Sequence, residues 1–367
     1  MAQAKSTSAL ARLSASTKRK RTKVTSIKAD STDAEPKVKG TKRTAKKQST
    51  DTTGLITAAE FFATGELHGD RLVNVDGEVL KFTNLHKLYW PKEKYTKGDL
   101  LKYYFAVGST MLPYLKDRPE IMRRFPNGIN GPFFYQHNLE DAPGFIRTHT
   151  IRSSDGTDVR YVLVDSMAAL LYITNLGAIA QNPFHSHLPD LSQPDYFVLD
   201  LDPEKGATFK TVCTVALEVQ KILKELKLLG YPKTSGSTGL HIYIPIKSGY
   251  TYDDVVRVGR AIATRVAERN PAIATVERMT RNRKRGQVYV DFLQNIEGKT
   301  IAAVYSAREK PGATVSAPVD WAEIKKGIDL LDFTIMTMPA RLKKKGDLFQ
   351  DVLKKRQALP SVAHLST

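Results

Sequence analysis

Cysteine is almost absent, with Cys213 the sole one in 367 residues. No intrachain disulfide can form, and no cysteine-based zinc site can be built. A reducing, intracellular setting is expected. No apolar run is long enough to span a bilayer. The first twenty residues hold no apolar stretch of the kind found in secretory signals. A cytoplasmic location is the expectation. Acidic charge is scarce beside basic charge: 38 Asp/Glu stand against 56 Lys/Arg, a net +18. Such an excess favours a polyanionic partner, nucleic acid or an anionic membrane surface. The Walker A pattern Gly-x-x-x-x-Gly-Lys-Ser/Thr is missing, as is the Lys-x-Asp-Gly signature of adenylating ligases.

What is present divides unevenly. Residues 1–50 carry 14 Lys/Arg and 3 Asp/Glu, so a net +11 is concentrated there. The segment 1–53 has almost no aromatics and few branched apolar residues. It cannot bury enough surface to offset its ordering entropy, and reads as a disordered basic arm. A folded domain is expected over 54–345, with a C-terminal tail over 346–367. Within the domain, 56–65 reads as a short helix and 71–82 as a hairpin turning at Asp76-Gly77. Residues 97–115 read as a helix capped by Thr96. Helices are also expected over 166–180, 208–229 and 252–269, and strands over 196–201, 240–246, 288–293 and 300–305. Helices and strands mix without strict alternation, which argues for an α+β fold with mixed sheets rather than a doubly wound parallel sheet.

Asp200 and Asp202 lie at i and i+2 of an apolar strand, so their carboxylates share a face. Like charges that close repel, and a bound cation relieves both repulsion and burial. Capping of the following helix is the plainer alternative. Asp291 repeats the pattern in Val288-Tyr289-Val290-Asp291. Three such acids match the ligand set of a two-metal phosphoryl-transfer site using Mg²⁺ or Mn²⁺. The run from Thr234 to Leu240 (Thr-Ser-Gly-Ser-Thr-Gly-Leu) offers glycines and hydroxyls to a phosphate, with His241 at the following strand start. A serine-glycine hairpin turn with a structural histidine is the alternative. Arg123, Lys284 and Arg308 are candidates to neutralise a triphosphate, or solvated surface charges. Phe133 and Phe134 are core residues or a base-stacking platform.

In this order the motifs resemble the polymerase domain of bacterial ligase D, within the archaeo-eukaryotic primase superfamily. The carrying segments run from Thr83-Asn84-Leu85-His86-Lys87 and Arg124-Phe125-Pro126-Asn127-Gly128 through Asp200-Leu201-Asp202-Pro203. They continue with Ser235-Gly236-Ser237-Thr238-Gly239-Leu240-His241, Val290-Asp291-Phe292-Leu293-Gln294-Asn295 and Tyr305-Ser306-Ala307-Arg308. The resemblance covers residues 72–342 and implies a primase-polymerase catalytic core. It implies Asp200, Asp202 and Asp291 as metal ligands, and Ser235, His241, Arg123, Lys284 and Arg308 around an NTP or dNTP. It also implies Asn84, Lys87 and Lys97 on a DNA 5′-phosphate, and Phe133 and Phe134 stacked on template. The implied work is nucleotide addition at gaps or broken ends in non-homologous end joining, with ribonucleotides preferred and Ku and a DNA ligase as partners. The resemblance further implies a bacterial, nucleoid-associated protein, either a stand-alone polymerase or one cut from a larger protein.

Four positions depart from the family's usual residues: Gln136 for Lys, Asn182 for His, Phe184 for Trp and Lys284 for Arg. Two other readings stay open: a catalytically silent module that binds DNA ends, and a primase that starts strands without a primer.

Overall fold

The computed structural model describes residues 54–65, 67–153 and 156–361. The basic arm expected over 1–53 lies outside them, as do the last six residues.

A five-stranded sheet organises the site. Its order is Tyr231–Thr234, Leu240–Pro245, Tyr196–Pro203, Val288–Asp291 and Ala274–Thr275. Every neighbour is antiparallel except the last pair, so the sheet is mixed. The strands alternate as a half-buried sheet requires. Phe197, Leu199 and Leu201 share one face with their register partners Ile244, Ile242 and Leu240, and all six are fully buried. The amphipathic helices Phe209–Glu225 and Tyr252–Arg269 pack against each other and against the central strand. The opposite face carries Asp200, Asp202, His241 and Asp291.

A second group of elements flanks this sheet. The helix Lys97–Leu115 starts at Thr96, whose hydroxyl accepts from the Asp99 N–H at 3.1 Å while its own N–H donates to the Asp99 carboxylate at 2.7 Å. It packs on Met167–Asn175, a helix capped by Ser166. The expected hairpin forms over Arg71–Val75 and Glu78–Phe82, with Asp76 and Gly77 both at positive φ (52° and 91°), the conformation a two-residue turn demands. The architecture is α+β, mixed sheets flanked by helices, as read from the sequence.

Four expectations need correction. The helix expected over 166–180 ends at Asn175, where the Ala178 N–H closes back on the Ile173 carbonyl at 3.1 Å. The helix expected to run to residue 229 ends at Glu225. Lys227 turns left-handed there, and the Leu228 N–H closes back on the Leu223 carbonyl at 2.8 Å. The strand expected over 300–305 does not form. Its backbone is bonded piecemeal, Ala303 N–H to the Gln181 carbonyl and Tyr305 N–H to the Ser316 carbonyl, with Tyr305 at φ 64°. Residues 346–361, read as tail, pack on the domain. Phe349 and Val352 are buried, and the Gln357 side chain bonds the backbone of Leu229 and Pro245.

Candidate active site

Strand register assembles the site. Lys233 pairs with His241, His241 with Asp200, and Asp200 with Asp291. These four residues cross four strands as one row on the face away from the helices. Asp202 stands two residues beyond Asp200 on the same face, opposite Tyr289. Beyond Asp291 the neighbouring strand ends, and the Asn295 side chain replaces it. It accepts from the Val198 N–H and donates to the Val198 carbonyl, both at 2.7 Å. The central strand therefore stays fixed where its ladder partner stops.

The row is electrostatically tense. Burial first, then Asp202 and Asp291, push the Asp200 carboxyl well above the usual carboxylate range, against the pull of Lys233 and Arg308. Asp202 is raised too, by desolvation and then by Asp291, with Arg283 opposing. Asp200 Oδ1 is buried without a hydrogen-bond partner among the described residues. His241 Nε2 stands 3.4 Å away, outside the usual hydrogen-bond range. Among the described residues no three His, Cys, Asp or Glu side chains are drawn together tightly enough to hold a metal ion. What the acids offer is a shared face, mutual repulsion and a free oxygen.

Beside them lies the loop Ser235–Gly239. The Ser235 hydroxyl accepts from the backbone N–H groups of Ser237 (3.1 Å) and Gly239 (3.0 Å), which closes the turn and leaves its own proton to donate. Two glycines are obligatory. Gly236 has φ 66°, and a Cβ there would strike Arg308 and the backbone of Ser316. A Cβ on Gly239 would run into the Leu201 carbonyl oxygen. The Arg308 guanidinium is hydrogen-bonded to the Ser235 carbonyl oxygen. His241 is buried, and burial together with Lys233 and Arg308 holds its pKa well below the usual value, so it is neutral.

The basic candidates separate. Arg308 lies at the acids. Arg123 does not join it directly. It forms an ion pair with Glu309, and its guanidinium lies 3.8 Å from the Phe133 ring centroid. Glu309 also stands 3.7 Å from Arg308, linking the two arginines. Lys284 is exposed, in the turn before the Asp291 strand. Its neighbour Arg283 lies 3.7 Å over the Tyr289 ring and pairs with Glu204 at 2.5 Å, near enough to Asp202 to pull its pKa down. Sequence reasoning missed Arg283, Glu309 and Lys233. For Lys233 only strand parity with His241 could have pointed to it.

A second corner gathers Asn84, Lys87 and Lys97. Asn84 is left-handed (φ 53°) and exposed. Backbone bonds from Lys87 N–H to the Asn84 carbonyl and from Lys97 N–H to the Lys87 carbonyl fold this turn onto the start of the 19-residue helix Lys97–Leu115. The Lys87 ammonium donates to the Pro126 carbonyl and to Asn127 Oδ1, both at 2.9 Å, and Lys97 donates to the Thr83 carbonyl at 2.7 Å. Burial, with Lys87 nearby, lowers the Lys97 pKa to about 8. Phe133 and Phe134 are each nearly half exposed beside Tyr135, on and next to the short strand Phe134–Gln136. Gln136 accepts from Arg124 at 2.8 Å. Asn182 donates its backbone N–H to Glu120 and its side-chain amide to the Ala180 carbonyl. Phe184 is buried against Tyr161.

The family described as "LigD, primase-polymerase domain" matches residues 96–349, more than half of the chain. The chain belongs to the LigD primase-polymerase family. It is 33% identical over 290 residues to the bifunctional non-homologous end joining protein LigD of Bacillus subtilis, covering 78% of this chain and 46% of that one. It is 31% identical over 282 residues to the multifunctional non-homologous end joining DNA repair protein LigD of Mycobacterium tuberculosis, covering 73% and 36%. The chain thus spans less than half the length of these LigD relatives. Among solved structures it is similar to the polymerase domain from Mycobacterium tuberculosis ligase D in complex with DNA. That similarity has a TM-score of 0.71 at 28% identity and covers 76% of this chain and 99% of that one.

Proposed function

We propose that this LigD-type domain is a metal-dependent, DNA-directed nucleotidyltransferase. It adds nucleotides, ribonucleotides in preference, at gaps or broken ends bearing a 5′-phosphate, in end-joining repair with Ku and a separate DNA ligase. The observation that carries the reading is the row of carboxylates beside a glycine-hydroxyl loop, with the unpartnered Asp200 oxygen at its centre.

Three hard oxygen donors and a buried free carboxylate oxygen suit Mg²⁺ or Mn²⁺, and Asp200, Asp202 and Asp291 are the residues that would hold it. Bound there, a divalent cation supplies charge neutralisation for a triphosphate and for a primer 3′-oxygen. The chain's own residues bind and orient. Ser235 has a hydroxyl proton to give and Arg308 a guanidinium beside the same loop, both suited to phosphate oxygens. Lys87, Lys97 and Asn84 at a helix start suit a terminal phosphate. Phe133 and Phe134 suit a template base.

A silent end-binding module is the competing reading, favoured by the acids' not converging as they stand and by the spent side chain of Asn182. Extension of a gapped DNA decides between them. Templates with and without 5′-phosphate are compared, with NTP against dNTP and Mg²⁺ against Mn²⁺. The polymerase reading expects metal-dependent extension, strongest with NTP on the 5′-phosphorylated gap. Tight 5′-phosphate binding without extension under any metal would establish the silent module. Dinucleotide synthesis on unprimed single strands would mark a primase.

A further inference from the structure

Glu309 is a buried acid between two arginines that serve different parts of the site. Its side chain is only 7% exposed, and carboxylates that deep are rare unless paired. Oε1 forms the ion pair with Arg123 Nη1, and Oε2 stands 3.7 Å from Arg308 Nε. Among the described residues no second acid pairs with either arginine. Arg123 also lies on aromatic rings, its guanidinium 3.8 Å from the Phe133 centroid and 4.9 Å from that of Phe125. Phe133 is 46% exposed, so a stacked base and this guanidinium would share one ring. Arg308 is hydrogen-bonded to the Ser235 carbonyl oxygen, at the glycine-hydroxyl loop. Through Glu309 the platform at Phe133 and the loop at Ser235 are joined by a continuous chain of contacts.

We propose that Glu309 is a positioning residue that couples the Phe133 platform to the Ser235 loop, so that template and nucleotide bind cooperatively. The identity of the two ligands rests on the polymerase reading above. Without the carboxylate, two guanidinium charges would be left near each other with no anion between them, and neither would keep its place. Glu309 Oε2 and Arg308 Nε are both buried without a hydrogen-bond partner. At 3.7 Å they form a charge pair whose hydrogen bond is unmade, and a shift of about 1 Å would close it. A base that stacks on Phe133 and moves Arg123 therefore moves the acid, and with it the field on Arg308. A phosphate drawn to Arg308 acts back on Arg123 along the same path. Linkage makes the two effects equal in free energy.

The test is a double-mutant cycle read in nucleotide affinity. It uses the full chain, a 5′-phosphorylated gapped DNA, Mn²⁺ and a non-hydrolysable NTP, with Kd measured by calorimetry. Phe133→Leu, a change at a half-exposed ring, is expected to weaken nucleotide binding to the DNA complex about fivefold. In a Glu309→Gln background the same change should alter Kd by less than about twofold, because the link is already cut. Where Glu309→Gln does not fold, Arg123→Met cuts the link at its other end and takes its place in the cycle, with the same expectation. Equal weakening in both backgrounds would make Glu309 a packing residue and overturn the inference. So would an unchanged nucleotide Kd for Phe133→Leu alone. Wild-type extension of DNA beside additive losses sinks the coupling and leaves the polymerase reading standing. A wild type that neither binds nucleotide nor extends DNA sinks both.

Discussion

Glu120 shows how a single residue carries a pH dependence. It is buried, and its Oε1 accepts from the Asn182 N–H at 2.9 Å. Burial raises its pKa from 4.5 to about 8. A raised folded-state pKa means the native state binds the proton more tightly. Its contribution to stability is therefore full below about pH 4.5 and is lost as pH rises through about 8. Glu120→Gln keeps the acceptor and removes the loss. Urea unfolding at pH 8 should show the variant more stable by a few kcal/mol at most, with the gap closing near pH 4.5. A variant no more stable at pH 8 would refute this. At the same scale, Asp200, Asp202 and Asp291 were legible because acids inside apolar strands are conspicuous and strand parity is fixed. Lys233 was not, since a lysine in a four-residue strand reads like any surface charge. Nor was the choice of Arg283 over Lys284. It depends on how one turn aims two adjacent side chains.

At the scale of elements, the capped helix at Thr96 and the Asp76-Gly77 hairpin were legible because each rests on a local rule. The stretch 300–305 was not. Its apolar run mimics a strand, but its backbone partners are Gln181 and Ser316, distant in sequence. The corner at the start of Lys97–Leu115 yields a prediction. With its pKa near 8, Lys97 is charged at pH 7 and mostly neutral at pH 9. Preference for 5′-phosphorylated over 5′-hydroxyl gaps, measured as a ratio of Kd values, should fall several-fold between those pH values. A flat ratio would remove Lys97 from the phosphate site. The exposed pair Phe133 and Phe134 predicts its own loss. Alanine at either should weaken gapped-DNA binding by about 1–3 kcal/mol if bases stack there. Unchanged titrations would return the pair to a packing role.

For the whole molecule, charge and sheet order say most. The mixed sheet was legible in outline because helix and strand signals do not alternate. Its strand order was not, because pairing Tyr196–Pro203 with Val288–Asp291 joins segments more than eighty residues apart. Net charge was legible at once, and 11 of its 18 units fall in residues 1–50. The salt dependence of DNA binding should accordingly be steeper for the full chain than for a chain starting near residue 54. Equal slopes of log Kd against log salt would make the arm passive. The central claim is that the three carboxylates drive nucleotidyl transfer. Its most direct test is primer extension on a 5′-phosphorylated gap by Asp200→Asn beside the wild type, with DNA affinity measured on the same samples. Metal-dependent extension by the wild type, its loss in the variant and unchanged DNA affinity are the predicted result. Extension by Asp200→Asn at the wild-type rate would contradict it.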